Sequence, residues 1–365
     1  MSKAYLFNDI AYNITTKKVP TEADMATYIG LEHLESGSLY VKEFGSKVPI
    51  KGEKLAMTKG DILLGKRNAY LRRAAIAPHD GLFSAHGMLL RPKTDVIDER
   101  FFPFFIASDY FFDEAIRISV GGLSPTINWK DLKNVEFELP TIEEQRVLAD
   151  KLWAAYELKE AYKKMIAATD EMVKSQFIEM FKDSPLVRLG DHIETQSGGT
   201  PNTKKSEYYD EGIIPWLSSG EVNQGYISST EKYITEDGLA NSAAKWVPKN
   251  SVVIAMYGAT AGKVGFITIP LTTNQAVCTL LPNDAFNPLY LYYAISSKKD
   301  WMIAQCRGAA QPNISQGIIR SMEIPMPSLD EQMQFANIIK QADKSKFELQ
   351  QAIDKIDKVM KSLLQ

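Results

Sequence analysis

A chain of 365 residues is long for one domain, so two or more are expected. It holds no run of about 20 apolar residues that would span a bilayer, and the opening MSKAYLFNDI lacks the apolar centre of a secretory signal, so the expectation is a cytoplasmic protein with no membrane partner. A net charge of −3 excludes a uniformly basic nucleic-acid binder, and Cys278 and Cys306, without a CxxC, point to neither a disulfide framework nor a zinc site.

In chain order, Ala4–Phe7 is expected as a short strand, followed by a polar stretch to Gly30. From Lys42 to Arg73 nine basic residues face three acidic ones. Within this stretch Asp61–Leu64 reads as a buried strand after the Lys59-Gly60 turn. The run Lys66-Arg67-Asn68-Ala69-Tyr70-Leu71-Arg72-Arg73 reads as a loop or hairpin tip. Phe83–Leu90 is a loop entering a strand, and it contains Ser84 and His86. Phe101 to Ile118 is expected to be one aromatic-rich helix ended by Gly121-Gly122, and Val135–Leu139 a strand.

Thr141 to Lys182 then reads as a long helix. Its apolar residues recur at Leu148, Leu152, Ala155, Tyr162, Ile166 and Val173, a seam of period near 3.5 that needs a partner helix. The partner seam is at the other end of the chain: Phe335, Ile339, Ala342, Leu349, Ile353, Ile356, Met360 and Leu363. Between the two, Pro185 breaks the first helix. Ser197–Asn202 is a turn, Ile213–Leu217 and Val252–Met256 are strands, and Tyr257–Lys263 is a loop tip. Thr272–Val277 matches Ser84–Met88 in position, and Asn287-Pro288 caps a helix through Ile303.

The chain is therefore a tandem repeat. A shift of 187 residues puts Gly121 on Gly308, Pro125 on Pro312, Ile127 on Ile314, Pro140 on Pro327 and Glu144-Gln145 on Glu331-Gln332. Each seam is interrupted once by a lysine, Lys159 and Lys346, again 187 apart. A polar residue in a seam can fix register, so these lysines are expected to align two antiparallel helices, against the alternative that each simply reaches water. The globular halves align only in pieces, and the basic stretch has no equal between Gln196 and Lys263.

Several motifs have a plainer reading. Gly258-x-x-x-Gly262-Lys263-Val264 has one residue too few for a phosphate loop and a valine where Ser or Thr would reach magnesium, so a hairpin tip is expected. Asn287-Pro288-Leu289-Tyr290 resembles the base-clamping site of DNA amino-methyltransferases. An N-cap asparagine with proline at the first helical position accounts for the same residues. The four histidines show no ligand spacing or catalytic triad, and the aromatics of 101–112 read as helical core rather than as a stacking platform. The basic loop is different. Lys66, Arg67, Arg72 and Arg73, with Asn68 and Tyr70 between them, combine phosphate-neutralising charge with base-reading forks. In the second half the candidates are Ser197, Thr200, Lys204, Lys205, Ser218, Ser219, Tyr257, Thr260, Lys263, Asn274 and Gln275. Most are small polar donors suited to base edges.

The motifs Ser197-Gly198-Gly199-Thr200-Pro201, Ile214-Pro215-Trp216-Leu217, Tyr257–Gly265, Thr273-Asn274-Gln275 and the repeated Pro-x-x-x-Glu-Gln at Pro140–Gln145 and Pro327–Gln332 carry a resemblance. The chain resembles the DNA-specificity subunits of type I restriction–modification systems. The resemblance implies a mixed α/β fold: two target-recognition domains at 1–140 and 184–327, separated by two long antiparallel coiled-coil helices at 141–183 and 328–365. It also implies a non-catalytic subunit that reads a bipartite, asymmetric site in double-stranded DNA, one half per domain. Two methylation subunits that bind S-adenosylmethionine would dock on it, and restriction subunits would complete the complex. Low net charge predicts weak DNA binding by this chain alone. A two-headed protein-binding scaffold is the alternative from another class.

Overall fold

The computed structural model describes residues 2–306 and 313–364, without the side chains of Asn223 and Gln224. The repeat matches at Gly308 and Pro312 fall outside the described residues. The fold is mixed α/β and falls into two compact units, Met1–Met165 with Leu349–Gln365 and Ile166–Glu348. The division cuts through both long helices, Ile142–Phe181 of 40 residues and Leu329–Leu363 of 35. Each unit therefore contains one globular part and a stretch of each helix.

In the first unit an antiparallel four-stranded sheet runs in the order Ala11–Ile14, Met88–Pro92, Ile62–Leu64, Ala74–Ile76. A three-stranded sheet is built from Lys17–Lys18, Lys54–Met57 and Gly81–Phe83. Ile62, Leu63 and Leu64 are all buried, as a continuous apolar run requires of a strand covered on both faces. Lys3–Leu6 pairs with Glu136–Leu139 and closes the globular part beside the start of the long helix. The aromatics Phe101, Phe102, Phe104, Phe105, Phe111 and Phe112 are buried core, joined by Leu152 and Tyr156 of the long helix and bordered by Met360 and Leu363.

The second unit repeats the plan. A five-stranded sheet runs Thr195–Ser197, Val277–Leu280, Val252–Ala255, Val264–Ile267, Tyr226–Ile227. A four-stranded one runs Lys232–Ile234, Ile214–Leu217, Leu271–Thr273, Trp246–Val247. Its core joins Val173, Phe177 and Phe181 of one long helix to Phe335, Ile339 and Ala342 of the other, with Phe177 and Phe335 rings 5.3 Å apart.

Two expected helices are broken. Phe101–Ile118 is not one helix but two, Phe102–Ala107 and Asp109–Arg117. Ser108 stands extended between them (φ −72°, ψ 154°), and its side chain accepts from Phe111 N–H to cap the second. A serine at such a point trades a helical backbone for a cap. The stretch Asn287–Ile303 is likewise Pro288–Ser296 followed by Lys299–Gln305. Asn287 does cap the first of these, accepting from Leu289 and Tyr290 N–H.

The Glu-Gln signature has a physical role at both helix starts. Thr141 and Glu144, and likewise Ser328 and Glu331, form reciprocal capping boxes. The glutamines are fully buried. Gln145 accepts from Asp98 N–H at 2.8 Å and donates to Val96 and Pro140 carbonyls; Gln332 accepts from Asn287 N–H at 2.8 Å and donates to Ala285 and Pro327 carbonyls. Each glutamine ties its long helix to the globular part of its own unit.

Both seam lysines meet carboxylates. Lys159, 9% exposed, pairs with Asp357 within the first unit; Lys346 pairs with Asp170 at 2.9 Å and Asp343 at 3.0 Å within the second.

Candidate nucleic-acid interface

In the second unit the ends of several elements converge. The parallel pair Ile214–Leu217 and Leu271–Thr273 brings Ser218 beside Asn274, whose N–H donates to Leu217 carbonyl at 3.0 Å. Gly199 N–H donates to Thr273 carbonyl at 3.0 Å, and Trp216 Nε1 to Gly199 carbonyl at 3.0 Å. A Cβ on Gly198 would lie 1.8 Å from that same Thr273 oxygen, so the close approach explains the Gly-Gly turn. Thr200 hydroxyl donates to Gln275 Oε1 at 2.6 Å, Thr260 hydroxyl to Ser219 carbonyl at 2.9 Å, and Tyr257 bridges to Asn313.

The structure thus gathers Thr200, Ser218, Ser219, Tyr257, Thr260, Asn274 and Gln275 into one hydrogen-bonded surface, with Lys263 closing the tip through Ala255 N–H to its carbonyl at 2.9 Å. Ser197 lies at the end of the strand that leads into it, paired with Cys278. Lys204 and Lys205 stand apart in the turn beyond. Lys205 sits over the Tyr208 ring at 4.8 Å and near Glu207 at 3.9 Å, and it is not joined to the cluster by any described contact.

The first unit builds the same frame with other side chains. Leu64 pairs with Met88 and Ala74 as Ile254 pairs with Cys278 and Val264, an offset of 190 in every position. On that offset Lys66–Arg73 is the counterpart of Met256–Lys263. Ile127 N–H donates to Lys66 carbonyl at 2.9 Å as Ile314 N–H does to Met256 carbonyl at 2.9 Å, and Gly65 N–H to Arg73 carbonyl at 2.8 Å as Ala255 N–H does to Lys263 carbonyl. Both loops turn through left-handed residues at matching places: Asn68 (φ 54°) with Gly258 (76°), and Arg72 (45°) with Gly262 (80°). The loop's backbone therefore has a counterpart in the second half, hidden because glycines stand there for Asn and Arg, while its charge has none: of the four basic residues of Lys66–Arg73 only Arg73 has a basic equivalent, Lys263.

The other expected residues of the first unit follow the frame. Asn68 accepts from Ser124 hydroxyl at 2.8 Å, Arg67 bridges to Thr126, and Tyr70 is exposed. Arg73 Nη1 donates to Leu31 carbonyl at 2.8 Å, the place that Thr260 takes on Ser219. Ser84 N–H donates to Ile29 carbonyl at 3.0 Å, matching Asn274 on Leu217. The buried Ser84 hydroxyl accepts from His86 N–H at 3.3 Å, matching Asn274 Oδ1 and Ala276 N–H; His86 itself is exposed. Arg72 has both ends of its guanidinium on carboxylates, Asp109 at 2.5 Å and Asp113 at 2.6 Å.

Sequence reading missed the turn Gly30–His33. Gly30 N–H donates to His33 Nδ1 at 3.0 Å, as Ser218 N–H does to Glu221 Oε1 at 3.0 Å. Ser-x-x-Glu announces such a turn, whereas Gly-x-x-His does not. It also missed Lys17. Lys66 is partly buried and held below its ordinary pKa by that burial and then by the neighbouring Lys17 and Arg67 charges. Among the described residues no carboxylate lies within 4.0 Å of Lys66, Arg67 or Lys263, which leaves these cations available to an anion. No group of His, Cys, Asp and Glu among them could hold a metal ion, and no helix is long and apolar enough to cross a membrane.

A family model described as the type I restriction modification DNA specificity domain matches residues 11–167 and 182–358. The chain belongs to this family. Two copies of the domain account for the tandem plan. A type I restriction enzyme specificity subunit of Escherichia coli is 30% identical over 160 residues, 42% of this chain and 40% of that relative. A putative one from Methanocaldococcus jannaschii is 23% identical over 351 residues, 86% of this chain and 79% of the relative. The first relatives are thus matched over about two fifths of their length. The crystal structure of a type I restriction-modification system S subunit from M. genitalium is similar with a TM-score of 0.61 and 13% identity, covering 100% of this chain and 95% of that one. A chain from a study of complex assembly in the type I system is similar with 0.61, 15%, 100% and 96%. At these identities the likeness is one of fold.

Proposed function

We propose that this specificity-domain chain is the DNA-reading subunit of a type I restriction–modification complex, with each unit reading one half of a bipartite, asymmetric site. One observation carries the reading: two surfaces share the same hydrogen-bonded frame and present different side chains. The first offers Arg67, Asn68, Tyr70 and His86 with Lys66 behind them; the second offers Tyr257, Thr260, Ser218, Asn274 and Gln275 with Lys263. Arg forks, amides and hydroxyls read base edges, and the lysines meet phosphate. An unlike pair of surfaces on a like pair of frames predicts a target whose halves differ.

The long helices serve as the spacer in this reading. A 40-residue helix is about 60 Å long, more than the ~34 Å of one DNA turn. Antiparallel pairing is supported by the lysines. Lys159 meets Asp357, and eleven residues further along the first helix Asp170 meets Lys346, eleven residues back along the second. Chemistry belongs to partners: two methylation subunits, which would hold S-adenosylmethionine and dock on helices and heads, and restriction subunits for cleavage. A net charge of −3 goes with weak DNA binding until those partners add their own contacts.

Exchange of residues 1–140 for the corresponding part of another family member, followed by sequencing of methylated sites in cells that express the assembled complex, tests this. The expected result is a new sequence in one half of the target and an unchanged other half. An unchanged target, or methylation by the chain without partners, overturns the proposal.

A further inference from the structure

Arg72 has a left-handed backbone at a place where the second unit uses Gly262, so the turn itself does not call for a side chain. What the side chain adds is a clamp. Asp109 and Asp113 are one turn apart on the helix Asp109–Arg117, and the guanidinium spans them, Nη1 to Asp109 and Nη2 to Asp113 at 2.5 and 2.6 Å. The other oxygen of Asp109 is held by Lys361 Nζ at 2.6 Å. At the opposite end of the loop Asn68 is pinned by Ser124. Between the two pins the turn Ala69–Leu71 presents Tyr70, 56% exposed. With its fork engaged and two carboxylates beside it, Arg72 is poorly suited to a phosphate.

We infer that Arg72, clamped by Asp109 and Asp113, is a positioning residue that holds the 67–71 loop in the shape that reads its half of the DNA target, and does not itself contact DNA. This rests on the DNA-reading function proposed above.

The test uses the full chain assembled with its methylation subunits and three variants: Arg72→Gly, which the Gly262 precedent shows the turn tolerates, Asp109→Asn with Asp113→Asn, and all three together. The readouts are the genome-wide set of methylated sites and the slope of DNA affinity against salt. The expected outcome is that Arg72→Gly and the double carboxylate variant relax the same positions in one half of the target. The other half stays intact, the triple variant is no worse than either, and the salt slope does not change. A slope reduced by about one on Arg72→Gly, with tighter binding in the carboxylate variant, would show a phosphate contact and overturn the inference. Unchanged site selection in every variant overturns it as well. Loss of both halves together would mark general unfolding and also sink it. A wild-type complex without sequence preference is a separate result, because it removes the DNA-reading function before any variant is made.

Discussion

Gln332 makes three hydrogen bonds with no exposure to solvent, and a leucine of similar size in its place would strand Asn287 N–H and the Ala285 and Pro327 carbonyls. Gln332→Leu is expected to lower the unfolding free energy by about 2–3 kcal/mol in denaturant titration. Glu331→Ala, which removes only half of an exposed capping box, is expected to lower it by less than Gln332→Leu in the same titration. The Asp109 carboxyl is held below the usual aspartate range, first by the Lys361 hydrogen bond and next by Arg72. Its folded-state pKa is depressed, so its contribution is complete above the unfolded value of about 3.9 and disappears as pH falls through the lower folded value. Carboxyl-carbon NMR titration checks this. Lys361→Ala is expected to move the Asp109 midpoint up, by more than Arg72→Gly does. At this scale the sequence exposed the Glu-Gln signature but not its two jobs, because the Ala285 carbonyl that the buried Gln332 meets is 47 residues away in the chain. It showed the basic loop but not that Arg72 is engaged, since Asp109 and Asp113 belong to an element that read only as aromatic core.

The long helices were legible because a seam repeats over many turns and a proline closes the first of them. Their lysines illustrate a limit. A lone Lys in a seam reads equally well as snorkelling or as pairing, and only the facing carboxylate decides. Lys346→Glu sets a third carboxylate against Asp170 and Asp343 and is expected to destabilise by about 1 kcal/mol in thermal unfolding. Addition of Asp170→Lys is expected to restore most of the loss. The short helices were less legible. Phe101–Ile118 reads as one helix because its apolar residues run on without a glycine, and the break at Ser108 comes from a serine that caps the next segment. The strands of the globular parts emerged only as apolar runs, and their pairing order was not readable, since it links residues far apart in the chain.

Across the whole molecule the repeat was visible first in the helices, at an offset of 187, and was lost in the heads, where the frame runs at 190. Insertions between strands account for the change, and side chains that occupy equivalent places with different chemistry obscure it further. That divergence suits the two-part reader proposed above: the strand and loop-end bonds common to both frames are main-chain bonds, which do not depend on the side chains at the tips. One consequence concerns the loop whose ends are Gly65 and Arg73 in one unit and Ala255 and Lys263 in the other. Both are fastened by the same main-chain bond and bend at the same two left-handed positions. Under the DNA-reading function proposed above, such a segment would serve as a cartridge, its side chains exchangeable between the two sockets without rebuilding the sheet that holds them.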